Sequence, residues 1–118
     1  MEFRITFYQT EDGQKPLLNF LESLRSNRPV LHKLITAGIR KLKNRQNHGE
    51  PLTSPISGSM GMMELRVGRD EIARVFFFFR PGQEIVCTSG YVKKRQKLDP
   101  HELAKAERYK ADWEQRHA

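Results

Sequence analysis

The residues of this chain that could take part in chemistry are isolated cations within apolar stretches. Arg66 and Arg74 each interrupt a stretch typical of a buried strand, and the basic run Lys93 to Lys97 follows the last such stretch. Guanidinium groups form forked, charge-assisted hydrogen bonds with phosphate oxygens. The pattern therefore predicts a rigid sheet that presents positive charge to a polyanion, and RNA is the polyanion we expect.

Strand alternation predicts which of these side chains share a face. If the apolar residues of each strand face the core, Arg66 and Arg74 emerge together on the opposite face, because successive side chains alternate. Phe76 or Phe78 on that face is expected to stack on a base. The alternative is that Arg66 pairs with Glu64, or with another acid, in an ordinary cross-strand ion pair.

Cleavage of RNA without a metal ion needs groups that transfer protons as well as cations. A base must take the proton of the 2′-hydroxyl, and an acid must protonate the leaving 5′-oxygen. A lysine crowded by other cations holds its proton less tightly, which makes Lys93 or Lys94 a candidate base. His48 and His101 are further candidates. The sequence has no acidic cluster with ligand spacing, zinc spacing or phosphate-binding glycine loop, so we expect no metal and no cofactor.

The net charge of +7 is unevenly distributed, since residues 28–45 hold six Lys or Arg and no acid. Such basic patches are typical of nucleic-acid binders. They would also attract an acidic protein, or they could merely aid solubility. Beyond the catalytic candidates Arg66, Arg74, Lys93 and Lys94, we expect RNA contacts from basic and aromatic residues around the same face: Arg69, Phe76, Tyr91, Arg95, Lys97, Lys41 and Lys43.

A chain of 118 residues predicts a single domain spanning residues 1–118. Apolar periodicity and turn residues predict the order βααβββα, an α+β fold in which helices cover one face of a small antiparallel sheet. The first strand is expected to pair with the meander of the last three strands, and the other sheet face to stay partly open. The predicted elements are a strand over 2–8, helices beginning at Pro16 and Pro29, a loop over 47–61, strands over 62–68, 71–80 and 84–92, and a helix capped by Asp99.

The chain lacks an apolar run long enough to cross a membrane, and its first residues do not resemble a signal peptide. We therefore expect a cytoplasmic protein without membrane contact. The single Cys87 lies in a strand-like stretch and is expected to be a small buried core residue.

Three blocks of the sequence together resemble the RelE/ParE superfamily of bacterial toxins, most closely its HigB-like, phage-associated branch. They are EFRITFYQTEDGQKPLLNFLESL, MMELRVGRDEIARVFFFF and SGYVKKRQKLDPHELAKAERYKADW. The ELR motif, the arginine-bearing strand, the basic run and the helix that begins with Asp-Pro recur in that order. Each block alone is weakly specific, but the combination covers nearly the whole chain.

The resemblance implies a RelE-like microbial ribonuclease fold and ribosome-dependent cleavage of mRNA. It also implies a helix-turn-helix antitoxin as partner, in a toxin-antitoxin hetero-oligomer. By position, Arg74 matches the phosphate-contacting arginine of the third strand, Arg66 the arginine of the ELR motif, and Lys93 and Lys94 the basic pair after the fourth strand. Glu64 stands where some members have a lysine, and the identity of the general base stays open.

Two other functions remain open on the same fold. One is inhibition of DNA gyrase through protein–protein contact, which would not require clustered cations on the sheet face. The other is a catalytically weak toxin fold that binds only RNA or an antitoxin, an alternative suggested by Glu64.

Overall fold

The computed structural model describes residues 2–93 and 97–118. They contain five strands and three α-helices. None of the described helices is long and apolar enough to cross a membrane. A short 3₁₀ turn, Arg45–Asn47, follows the second helix. In chain order the elements are β1 (Arg4–Phe7), α1 (Pro16–Asn27), α2 (Pro29–Lys41), β2 (Thr53–Pro55), β3 (Met63–Gly68), β4 (Ile72–Arg80), β5 (Glu84–Lys93) and α3 (Pro100–Arg116).

The strands form one sheet in the order β1-β5-β4-β3-β2. Strand β1 runs parallel to β5, and the other neighbours are antiparallel. This confirms the α+β fold and the predicted pairing of the first strand with the meander. Strand β2 lies inside the predicted loop; its three residues end at Pro55, which is tolerated at a sheet edge because proline has no N–H to donate.

Helices α1 and α2 cover one face of the sheet, as the apolar periodicity predicts. Each helix begins at a proline, whose fixed φ suits the first helical position. A Cβ added to Gly38 would lie 3.3 Å from the side chains of both Leu65 and Val67, so the missing side chain lets α2 approach β3 closely. The core on this side contains Leu17, Leu21, Leu24, Leu31, Ile35, Leu65, Val75, Phe77 and Cys87 among its buried residues.

Helix α3 covers part of the opposite face, which was expected to stay partly open. A second core forms there from Tyr8, Met62, Phe76, Phe78, Val86, Ala106 and Trp113. The Asp99 carboxylate accepts a hydrogen bond from the His101 N–H at 2.9 Å, which confirms the predicted N-cap. The Asp99 N–H in turn donates to the Tyr91 hydroxyl at 3.0 Å, so Tyr91 ties the end of β5 to the start of α3.

A β-bulge at Thr88 changes which face the end of β5 presents. Phe76 pairs with Ser89 but Phe77 pairs with Cys87, so Thr88 is the extra residue. Its hydroxyl donates to the Phe76 carbonyl oxygen at 3.3 Å. Before the bulge, Cys87 faces α1 and α2. After the bulge the alternation is inverted, and Tyr91 lies opposite Arg74 on the other face.

Gly90 lies against Phe20 of α1, and enlarging it should destabilise the fold. A Cβ there would lie 2.7 Å from Cδ2 of Phe20 and 2.8 Å from the carbonyl oxygen of Arg74. Because backbone cannot easily yield, we expect Gly90→Ala to lower the free energy of unfolding by roughly 1–3 kcal/mol in urea denaturation. A Phe20→Leu background should reduce this loss. Equal stability of Gly90→Ala and the parent would contradict the packing.

Candidate nucleic-acid interface

A cleft of about 700 Å³ opens beside the end of α2 and the uncovered part of the sheet. Four cations from four different elements lie in its wall: Lys41 of α2, Arg66 of β3, Arg74 of β4 and Lys93 of β5. The rest of the wall is formed by Asn47, Pro51, Leu52, Val67, Gly68 and Ile72.

The strand register brings the sheet cations together. Arg66 lies directly opposite Arg74 across β3 and β4, and Arg74 lies opposite Tyr91 across β4 and β5. Lys93 pairs with Ile72, two residues further along each strand, and therefore lies on the same face. The predicted shared face of Arg66 and Arg74 is thus present, and the bulge at Thr88 adds Lys93 to it.

Arg74 is buried and has an internal counter-ion. Its side chain, in a residue only 6% exposed, donates a hydrogen bond from Nη1 to the carboxylate of Glu64, which is also 6% exposed. Arg74 Nε is buried and has no hydrogen-bond partner among the described residues. Buried N–H groups are nearly always paired, so this unpaired donor is a candidate contact for a ligand oxygen.

Glu64 is the shared anion of the two sheet arginines. One of its oxygens lies 3.5 Å from Arg66 Nε and accepts a hydrogen bond from the Ser54 hydroxyl at 3.4 Å. Arg66 also pairs with Glu50 at 2.7 Å and stays partly exposed. The ordinary ion pair considered for Arg66 therefore exists in this structure. It holds the guanidinium at the wall of the cleft.

Lys93 is a buried cleft cation without a counter-ion among residues 2–93 and 97–118. It is only 9% exposed, and no carboxylate in those ranges lies within 4 Å of its ammonium group. Burial lowers the pKa of Lys93, and the charges of Arg74 and Arg66 lower it further, while Glu64 opposes them. Lys93 therefore gives up a proton more readily than an ordinary lysine does.

The aromatic residues expected to contact RNA are occupied within the protein. Phe76 and Phe78 are buried beneath α3, so the expectation that one of them stacks on a base from an open face is wrong. Tyr91 stacks on Phe76 with 5.9 Å between ring centroids and accepts from Asp99. Burial raises the pKa of Tyr91, so its hydroxyl keeps its proton. Tyr91 supports the wall beside Arg74.

The remaining predicted RNA contacts are scattered. Lys41 lies in the cleft wall. Arg69 is exposed on the β3–β4 turn and borders a different cavity near Arg28, while Lys43 borders a cavity with Ile5 and Phe7. Lys97 is exposed ahead of α3. Lys94 and Arg95 lie outside the described residues.

One polar cleft residue was not predicted, and the two candidate histidines lie outside the cleft. Asn47, in the loop after α2, lines the cleft, and only the length of that loop signalled a functional role. His48, a candidate for proton transfer, lies instead at a second cavity with Phe3 and Phe79, and His101 is exposed at the start of α3. Within the described ranges, no group of three or more His, Cys, Asp or Glu residues converges as metal ligands would.

Removing one partner of the Glu64–Arg74 pair should destabilise the protein more than replacing both partners with apolar residues. Glu64→Ala leaves a buried guanidinium charge uncompensated, which costs about 3–5 kcal/mol in comparable sites. The double variant Glu64→Leu/Arg74→Met removes both charges and should lose clearly less stability in urea denaturation. If the stability losses of Glu64→Leu alone and Arg74→Met alone simply add in the double variant, the pair is not the coupled interaction described here.

The proton affinity of Lys93 can be measured directly by NMR titration of its side chain. We expect a pKa below the ordinary lysine value of 10.5. Arg74→Met should raise this pKa because it removes a nearby positive charge, whereas Glu64→Gln should lower it further. An ordinary pKa in all three proteins would contradict the burial of the ammonium group.

The same shift fixes the sign of a pH effect on stability. The folded protein binds fewer protons at Lys93 than the unfolded chain does between the lowered pKa and 10.5. The contribution of Lys93 to stability therefore rises with pH across that window, and Lys93→Met should lose this rise.

Comparison with protein families matches residues 19–111 to the phage-derived protein Gp49-like family (DUF891). A comparison with curated proteins found no matching relative. The matched segment includes α2, the three cleft strands β3, β4 and β5, and most of α3. The Gp49-like family is linked to the RelE-like toxins of toxin-antitoxin systems. With the cation-lined cleft inside a match of this extent, the chain belongs to the phage-derived Gp49-like family.

Proposed function

We propose that this chain is the toxin of a type II toxin-antitoxin system, of the HigB-like branch, and that it cleaves mRNA on the ribosome without a metal ion. The observation that carries the proposal is the convergence of Lys41, Arg66, Arg74 and Lys93 on one cleft. The unpaired Nε of Arg74 and the ammonium of Lys93 are two buried donors available to a phosphodiester there.

Three cleft cations have a role in this reaction. The 2′-oxygen attacks phosphorus as the bond to the 5′-oxygen breaks, which gives a cyclic phosphate and a free 5′-hydroxyl. Arg74 and Arg66 would bind the phosphoryl oxygens, where negative charge grows in the transition state. Lys93, protonated but with a lowered pKa, is suited to donate the proton that the 5′-oxygen needs.

The proton of the 2′-hydroxyl needs a second group. Lys94 stays the proposed candidate from this chain, and a ribosomal RNA group could take its place in a ribosome-dependent reaction. The small number of proton-transfer groups in the described part of the cleft supports this dependence on the ribosome. A bound mRNA would then lie between the basic cleft and the decoding site.

An antitoxin is the proposed protein partner, and we expect it to carry a helix-turn-helix domain and to form a hetero-oligomer with the toxin in the cytoplasm. The buried Glu64 favours a second candidate function, that of a catalytically weak member that binds RNA. Its carboxylate already accepts a hydrogen bond from Arg74, which is then less available to a phosphate. Gyrase inhibition would require no such cleft.

Induced expression with mapping of mRNA 5′ ends tests the proposal. We expect ribosome-dependent cuts within codons, and we expect Lys93→Met to lower cleavage by about 100-fold, the smaller end of general acid–base contributions. Lys94→Ala should also relieve growth arrest. Arg108→Ala, which removes an exposed cation of α3 outside the cleft, is the matched control and should leave cleavage unchanged.

Three other results would each have a clear meaning. Full toxicity of Lys93→Met, with normal folding by circular dichroism, would overturn the assigned site. Growth arrest with DNA damage and intact mRNA would favour gyrase inhibition. RNA binding without arrest or cleavage would support the catalytically weak alternative.

A further inference from the structure

A second cavity, of about 400 Å³, lies at the far end of β4 from the cleft cations. It combines an exposed aromatic ring with cationic side chains. Phe79 is 42% exposed, which is unusual beside the completely buried phenylalanines that precede it in the same strand. The cavity is lined by Phe3, Arg45, His48, Phe79, Arg80, Pro81, Gly82 and Gln83.

The Phe79 ring is held in a fixed orientation by three other rings. Phe3 and Phe77 meet it edge-on, with centroid distances of 5.8 Å and 5.7 Å, and His48 lies at 5.6 Å. Edge-to-face contacts of this kind stabilise aromatic clusters without covering a whole ring face. Phe79 is therefore a rigid apolar surface, open to a planar ligand.

Polar groups beside this ring suit a nucleotide. Arg45 lies over the Phe3 ring, with Cζ 5.6 Å from the centroid, and among the described residues no carboxylate lies within 4 Å of its guanidinium. His48 Nε2 is 2.7 Å from the Leu42 carbonyl oxygen, which can only accept, so Nε2 carries the proton and donates. In this tautomer Nδ1 is an acceptor.

The two cavities are lined by nearby residues of one short segment. Asn47 lines the cation-lined cleft, while Arg45 at the start of the 3₁₀ turn and His48 just after it line the second cavity. Along β4, Phe79 is five residues from Arg74, a separation of roughly 17 Å, and alternation places the two side chains on opposite faces of the sheet. An RNA strand that fills the cleft would therefore reach Phe79 by way of the 45–48 segment, which contributes residues to both cavities.

We propose that this second cavity is a nucleotide-binding subsite for single-stranded RNA. One base stacks on Phe79, and the Arg45 guanidinium binds a neighbouring phosphate. Aromatic stacking with nearby cations is the general mode by which proteins bind unpaired bases, and it tolerates any base. This inference rests on the proposed function, because it extends the same RNA beyond the cleft. Phe79 thus takes the stacking role that the buried Phe76 cannot perform.

Binding of a fluorescein-labelled, 2′-O-methyl 12-nucleotide RNA of mixed sequence tests the subsite, because the missing 2′-hydroxyls prevent cleavage. We expect Phe79→Ala to weaken binding roughly tenfold, within the range measured for loss of one stacked base. Phe79→Tyr should restore the affinity. A dinucleotide, which is too short to fill both cavities, should bind the parent and Phe79→Ala more nearly alike.

The salt dependence separates stacking from charge. Arg45→Ala should lower the slope of log K against log salt by about 0.7, as expected for one phosphate contact on a single strand, and Phe79→Ala should leave the slope unchanged. Arg108→Ala serves as the cation control.

The outcomes also separate this inference from the proposed function. If Lys93→Met weakens RNA binding but Phe79→Ala and Arg45→Ala do not, the subsite is wrong and the cleft stands. If the parent binds no RNA even at low salt, both fail. If Phe79→Ala leaves RNA binding intact and weakens only binding of the antitoxin, the surface is a protein interface and the subsite is overturned.

Discussion

The burial of Arg74 is the constraint on which the cleft depends. A guanidinium cannot leave water without a partner that compensates its charge, and Glu64 on the neighbouring strand is that partner. The carboxylate lies within 4 Å of Arg66 as well, so one buried anion fixes the direction of two cations. This explains why an acid stands between cations in a protein proposed to bind a polyanion. Glu64 holds the arginines in place before any phosphate arrives.

The position of α3 determines how much of the sheet face is available. Phe76 and Phe78 lie under the helix in the second core, whereas Arg74, two residues earlier on the same face, borders the cleft. The boundary therefore falls between positions 74 and 76 of a single strand. The Tyr91 ring stacks on Phe76, and its hydroxyl binds the first residue of the α3 cap, so it lies at this boundary. Apolar packing on one side of Tyr91 thereby supports a polar site on the other.

Much of this arrangement could be predicted from local patterns. Alternation alone placed Arg66 and Arg74 on one face, and the Asp-Pro pair identified the start of α3. Three features could not be predicted in this way. The bulge at Thr88 inverts the alternation of β5 and depends on pairing with β4, the docking of α3 over Phe76 depends on tertiary packing, and β2 is too short to show a pattern. Each of them is set by contacts between residues far apart in the chain.

The electrostatics of the cleft require a balance between stability and binding. Four cations in one wall repel each other, and the fold reduces this repulsion in two ways. Glu64 and Glu50 pair with the arginines. Lys93 has no carboxylate within 4 Å among the described residues, and its pKa is lowered by burial and by the nearby arginines. A phosphodiester in the cleft would supply negative charge beside Lys93 and raise its pKa. The buried Lys93 ammonium, which lacks a counter-ion among the described residues, would thus be stabilised by an anionic ligand. In the proposed reaction it would then donate its proton to the 5′-oxygen as the bond between phosphorus and that oxygen breaks.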